Sequence, residues 1–95
     1  MESSERENKI AFAICIGVAL MRHGNTNYNL VQAKLQSYYN GGIYECLDHP
    51  EYLRKVLKEV YREEYKSVLD HIRLESDHLV DIAEFKAEFF RIMIV

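Results

Sequence analysis

Residues 48–74, DHPEYLRKVLKEVYREEYKSVLDHIRL, decide the fold of this 95-residue chain. The stretch opens on Asp48-His49-Pro50-Glu51, a capping box with Pro50 in the first turn, where a missing NH costs nothing. Leu53, Val56, Leu57 and Val60 then share one side of a helical wheel. Tyr65, Val68, Leu69 and Ile72 share another, rotated by about 120° when each residue advances about 100°. A straight helix cannot point both sets at one core. The sequence therefore predicts two helices meeting near Arg62–Glu64, although no Gly or Pro stands there.

Upstream, Ser4-Glu5-Arg6-Glu7 is a second capping box and predicts a first helix from Ser4. Gly24 should close it in the left-handed region, with Arg22 and His23 beside the negative end of the dipole. Between them Ile10 to Met21 is apolar all round, the mark of a central, buried helix. Large residues alternate with small ones through this run, which is also a strand pattern. The two caps and the lack of a second convincing strand decide for helix. Asn25-Thr26-Asn27 supplies caps for a second helix ending before Asn40-Gly41-Gly42, with Tyr28, Val31, Leu35 and Tyr38 on one face. The double glycine permits a reversal that lets Ile43, Tyr44 and Leu47 tuck into the core as a single turn.

Downstream, a last helix is expected over about Asp77 to Met93, with Ser76 as its cap. Asp81, Glu84, Glu88 and Arg91 form a narrow polar strip, and the rest is apolar except for Lys86. That arc covers about 240° of the wheel, wider than one core contact of an ordinary surface helix covers. The excess needs a second partner, so Phe85, Phe89, Phe90, Ile92, Met93 and Ile94 are the candidate interface.

Composition bounds the function. The chain is 48% hydrophobic and 12% aromatic, which argues against disorder. One Pro and four Gly favour a few long elements over many short strands. A net charge of −3 offers no general attraction to nucleic acid or anionic lipid. The apolar run of 12 residues from Ile10 falls short of the roughly 20 needed to span a bilayer. MESSERENK before it carries three Glu against one Arg and one Lys, unlike the positive start of a secretory leader. Cys15 and Cys46 form no CxxC pair and read as buried, reduced thiols of a cytoplasmic protein.

Few residues point to chemistry. His71, Glu75 and His78 share a face if one helix runs through them, and two imidazoles with a carboxylate can chelate a transition metal. Iron-carboxylate bundles need two such E-x-x-H motifs and two further Glu, so a solvated polar edge is the expectation and no cofactor is predicted. Arg54, Lys58, Arg62 and Lys66 recur every four residues and offer a phosphate-binding stripe. Glu51, Glu59, Glu63 and Asp70 lie at ion-pair spacing from them, which favours a salt-bridged, solvated face over nucleic-acid contact. Tyr28, Tyr38, Tyr52, Tyr61 and Tyr65 fall on or beside core faces, where packing with the hydroxyl at the rim explains them. Neither cysteine has a base and an orienting third group, His49 near Cys46 included.

The middle of the chain, about residues 16–74, resembles a small archaeal helical family, the Nitrosopumilus output domain. The resemblance rests on Leu20-Met21-Arg22-His23-Gly24 and Leu35-Gln36-Ser37-Tyr38-Tyr39. It rests chiefly on Ile43-Tyr44-Glu45-Cys46-Leu47-Asp48-His49-Pro50-Glu51-Tyr52-Leu53 and Leu57-Lys58-Glu59-Val60-Tyr61. It implies a short turn, a Pro-started helix and an aromatic-Gly break before a final helix. Arg62 or Glu63 stands here where that glycine would be. The family implies a non-enzymatic output or interaction module, with no catalytic residue to carry over. Residues from Asp77 onward lie outside the resemblance.

The sequence thus predicts a single all-α domain over 1–95, a compact bundle of four to five helices around a central N-terminal one. Its expected role is a cytoplasmic, non-enzymatic interaction module that homodimerises through the terminal helix, without a membrane partner. The alternative is a nucleic-acid-associated regulator using the Arg54/Lys58/Arg62/Lys66 stripe.

Overall fold

The computed structural model describes residues 2–95, with side chains described from Arg6 onward. Helix α1 covers Glu2–His23, α2 Asn25–Tyr39, and α3 is one turn at Ile43–Cys46. Helix α4 covers Pro50–Tyr61, α5 Tyr65–Glu75 and α6 Ala83–Met93, with 3₁₀ turns at Arg62–Glu64 and Val80–Ile82 leading into the last two. The described residues contain no strand, so the chain is the all-α bundle expected.

The break falls where the two apolar registers require it. Helix α4 ends at Tyr61, and Arg62 leaves the helical region with φ 50° and ψ −114°. One 3₁₀ turn later α5 begins, and its Val68 and Ile72 join Leu53, Val56 and Leu57 of α4, all at 0% exposure, in one core cluster. The 120° disagreement is absorbed by a left-handed backbone step, with Arg62 supplying the conformation a glycine adopts more readily.

The caps differ in detail from the expected ones. Helix α1 begins at Glu2, so Ser4 lies inside it, and the Ser4 side chain falls outside the described ones. Gly24 has a positive φ of 144°, beyond the left-handed helical region, and its NH reaches the carbonyls of Leu20 and Met21 at 3.1 Å each. It also sits at the N-cap of α2, which puts Asn25, Thr26 and Asn27 inside the first turn rather than before it. Asn40, with φ 56°, closes α2. Gly41 sits in a tight place: a Cβ there would stand 3.0 Å from Cβ of Glu45, whose carboxylate accepts from the Gly42 NH at 2.7 Å. Asp48 does not cap α4, since His49 holds that position and Asp48 instead accepts from Lys9 of α1 at 2.6 Å.

The terminal helix starts six residues later than expected. Ser76 closes α5 instead of opening α6: its buried hydroxyl donates back to the Ile72 carbonyl at 2.8 Å. Its own carbonyl accepts from Lys86 at 2.7 Å and from the Leu79 NH at 3.0 Å. These bonds turn the chain at 77–79 and free α6 to pack at its own angle.

Helix α1 is central on one side only. Phe12, Ile16 and Leu20 are fully buried, and α1 packs on α2, α3 and α5. Ile10, Ile14 and Met21 face outward at 42%, 60% and 42% exposure. An all-round apolar helix therefore did not mean an all-round buried one. Cys15 and Cys46 are buried and free, as expected.

Candidate functional site

The expected interface on α6 is interior. Phe89, Phe90 and Met93 are 1%, 7% and 0% exposed, Phe85 and Ile92 are half-buried, and only Ile94 projects. Phe12 of α1 meets Phe85, Phe89 and Phe90 edge-on, with ring centres 6.0, 5.0 and 6.3 Å away. On another flank the Arg73 guanidinium of α5 lies over the Phe90 ring at 4.3 Å. At the helix end, Tyr65 donates to the Met93 carbonyl at 2.5 Å. Helix α6 is wedged among α1, α4 and α5, and the wide apolar arc is covered within the chain. A wheel counts apolar positions, but it does not count neighbours.

The basic stripe is partly used in folding. Arg54 donates to the Ile92 carbonyl at 3.1 Å and Lys58 to the Val95 carbonyl at 3.1 Å. These two cations thus serve carbonyls at the C-terminal end of α6, where the dipole is negative. The expected intrahelical partners are taken elsewhere: Glu59 pairs with Lys34 and accepts from Tyr38 of α2, and Glu51 pairs with His49. Beyond the elbow, Arg62 and Lys66 with Lys58 and Arg73 rim a cleft of about 610 Å³, which Glu63 and Asp70 share. The two carboxylates offset part of the positive charge there. Tyr38 is 44% exposed, with its hydroxyl donated to Glu59, and so departs from the core position expected for it.

His71, Glu75 and His78 do not assemble. His78 lies in the turn after α5 and is exposed, while Glu75 pairs with Arg22 of α1 at 3.2 Å. Among the described residues no group of three or more His, Cys, Asp or Glu is placed to hold a metal ion. His71 turns instead toward His23, a pairing that the sequence reasoning did not reach because 48 positions separate the two. The thiols are equally quiet. Burial pushes both upward in pKa, with the Glu75 charge adding to the effect at Cys15 and Glu45 at Cys46, so neither is a ready nucleophile.

What remains open is the outer face of α1. Ile10 and Ile14 lie one turn apart, Met21 two turns further on, and all three border a groove of about 410 Å³ between α1 and the α2–α3 segment. Ala13 and Gly17 line its base, with Tyr28 packed against Gly17 and Tyr44 opposite. From Ile10 to Met21 the helix carries no charged residue. One face therefore presents both a projecting side chain, Ile14, and a hollow beside it.

Among the described residues no helix is long and apolar enough to cross a membrane. Comparison with protein-family models, curated proteins and solved structures finds no significant match to this chain.

Proposed function

We propose that this chain is a non-enzymatic, cytoplasmic protein–protein interaction module that self-associates through the outer face of α1. The observation that carries this reading is Ile14, 60% exposed in the middle of an uncharged helical face. The face suits a second copy of itself. A two-fold contact presents the same patch from both sides, so each copy must offer a projection and a recess. Ile14 and the groove beside it are such a pair; residues 10–21 bring no charge to the contact, and Glu45, which also lines the groove, is held by the Gly42 NH.

The area sets the strength. Ile10, Ile14 and Met21 together expose roughly 300 Å² of side chain, well below the ~800 Å² per partner of a standard interface. The dimer is accordingly weak and concentration-dependent. This reading keeps the interaction role implied by the output-domain resemblance and moves the surface from α6 to α1. Arg54 and Lys58 bond to carbonyls at the end of α6, and Glu63 and Asp70 share the cleft that Lys58, Arg62, Lys66 and Arg73 rim, which weighs against the nucleic-acid alternative.

Sedimentation velocity from about 10 µM to about 1 mM tests it, a range chosen for an interface of this size. The unmodified chain should move from monomer toward dimer, and Ile14→Glu should stay monomeric while folded. A chain that remains monomeric throughout, or an Ile14→Glu variant that dimerises equally well, would overturn the proposal.

A further inference from the structure

Two imidazoles from distant parts of the chain converge where the end of α1 meets α5. His23 and His71 place their Nδ1 atoms 3.2 Å apart, with ring centres 5.0 Å apart and planes at 63°. Those two separations constrain how the rings point. Head-on rings, as in a straight N–H···N bond, would have centres about 5.5 Å apart, because an imidazole nitrogen lies about 1.15 Å from its ring centre. At 5.0 Å the rings are tilted off that line. If both Nδ1 lone pairs converge symmetrically, they meet at a point about 2.0 Å from each nitrogen, with an angle there of about 103°. Zinc–imidazole bonds run to about 2.0–2.1 Å with near-tetrahedral angles, so a cation at that point would meet both nitrogens at bonding distance and replace the N–H···N hydrogen bond that joins the rings without it.

The surroundings fit that use. The Oε1 of Glu64 lies 3.7 Å from Nε2 of His23, whose side chain is 13% exposed. At that distance the carboxylate, itself 65% exposed, is beyond direct hydrogen-bond reach and contributes negative charge beside the ring. His23 is the last residue of α1, where the helix dipole favours positive charge. Glu64 and Glu75 against Arg22 leave the neighbourhood negative, with Glu75 and Arg22 paired beside His71.

We infer that His23 and His71 form a two-histidine binding site for a late first-row divalent cation of the zinc or copper type. Imidazole donors suit these ions, and copper binds tighter than zinc to any such set. With no third protein ligand among the described residues, water completes the coordination and the affinity is modest. The cation ties the end of α1 to α5 across the bundle, on residues separate from the Ile14 face. Both imidazoles must be neutral to bind, so acid releases the ion.

The test is calorimetric titration of the untagged chain with zinc chloride, compared with His23→Gln, His71→Gln and His78→Gln. One equivalent should bind to the unmodified chain and to His78→Gln. His23→Gln and His71→Gln should each lose about tenfold or more in affinity. Histidine side-chain NMR of the unmodified chain gives the same answer should a variant fail to fold. Zinc should move the His23 and His71 resonances and leave His49 and His78 in place. Unchanged affinity in both ligand variants, movement at His49 or His78 instead, or no binding at about 1 mM zinc would overturn the assignment.

Discussion

Tyr65, the first residue of α5, donates its hydroxyl to the backbone carbonyl of Met93 at 2.5 Å, out of contact with water. The bond joins the elbow to the last turn of α6 across 28 positions. It depends on the change of register at Arg62, since a helix continued straight from Tyr61 would aim Tyr65 away from the face that α4 buries. Arg54 and Lys58 reach the neighbouring carbonyls of Ile92 and Val95 from α4. Both arms of the elbow therefore hold the end of α6, and its Phe89 and Phe90 are closed inside.

Two buried tyrosines should respond oppositely to loss of the hydroxyl. Tyr65→Phe leaves the Met93 carbonyl without its partner and should cost about 1–2 kcal/mol. The Tyr61 hydroxyl is buried with no hydrogen-bond partner, so Tyr61→Phe should be neutral or stabilise by up to about 1 kcal/mol. Urea unfolding of both variants checks the contrast. Equal destabilisation would contradict it.

The same pair predicts alkaline lability. Burial pushes both phenols from 10.0 up to about 12, with the Glu64 charge adding at Tyr61 and Arg54 opposing at Tyr65. The folded chain then holds these protons more tightly than the unfolded one. Their stabilisation is complete below about pH 10 and is lost as the pH rises toward about 12. Unfolding midpoints should fall across that window, and Tyr61→Phe with Tyr65→Phe combined should flatten the fall.

Phe89 tests the reassignment of the terminal helix. At 1% exposure against Phe12, its truncation to Ala should cost about 3–5 kcal/mol, a large share of a small domain's stability. Thermal unfolding reads this directly. An exposed interface residue would instead lose dimer affinity with little change in monomer stability.

Arg62 tests the elbow. Its φ of 50° is rarely adopted by residues with a side chain. Arg62→Gly should relieve about 1 kcal/mol of backbone strain, partly offset by the greater freedom of glycine in the unfolded chain. A net gain of a few tenths to about 1 kcal/mol in urea unfolding is expected. A loss of stability would show that the arginine side chain matters more than its backbone.

What could be read in the sequence was what neighbouring residues decide among themselves. The two registers around Arg62 are a local geometric conflict, and the chain resolves it at that place. The tucked turn at Ile43–Cys46 and the buried thiols follow equally from short-range pattern. Contacts over long separations were not legible. The apolar width of α6 was visible, but its coverage by Phe12, Arg73 and Tyr65 depends on how three helices meet. The wide apolar face of α1 was taken as buried because nothing local says which third of a helix the bundle leaves uncovered. The caps shifted for a related reason: Asp48 and Ser76 found tertiary or backward partners stronger than the local ones expected of them. The meeting of His23 and His71 had no signal in spacing at all.

A dilution series followed by backbone amide NMR tests the central claim most directly, because it maps association residue by residue. The account predicts concentration-dependent shifts confined to residues around Ile10, Ile14 and Met21 and to the bordering Tyr28 and Tyr44, with Phe85 to Met93 unmoved. Shifts centred on Phe89, Phe90 and Ile94 instead would contradict it and return the interface to the terminal helix.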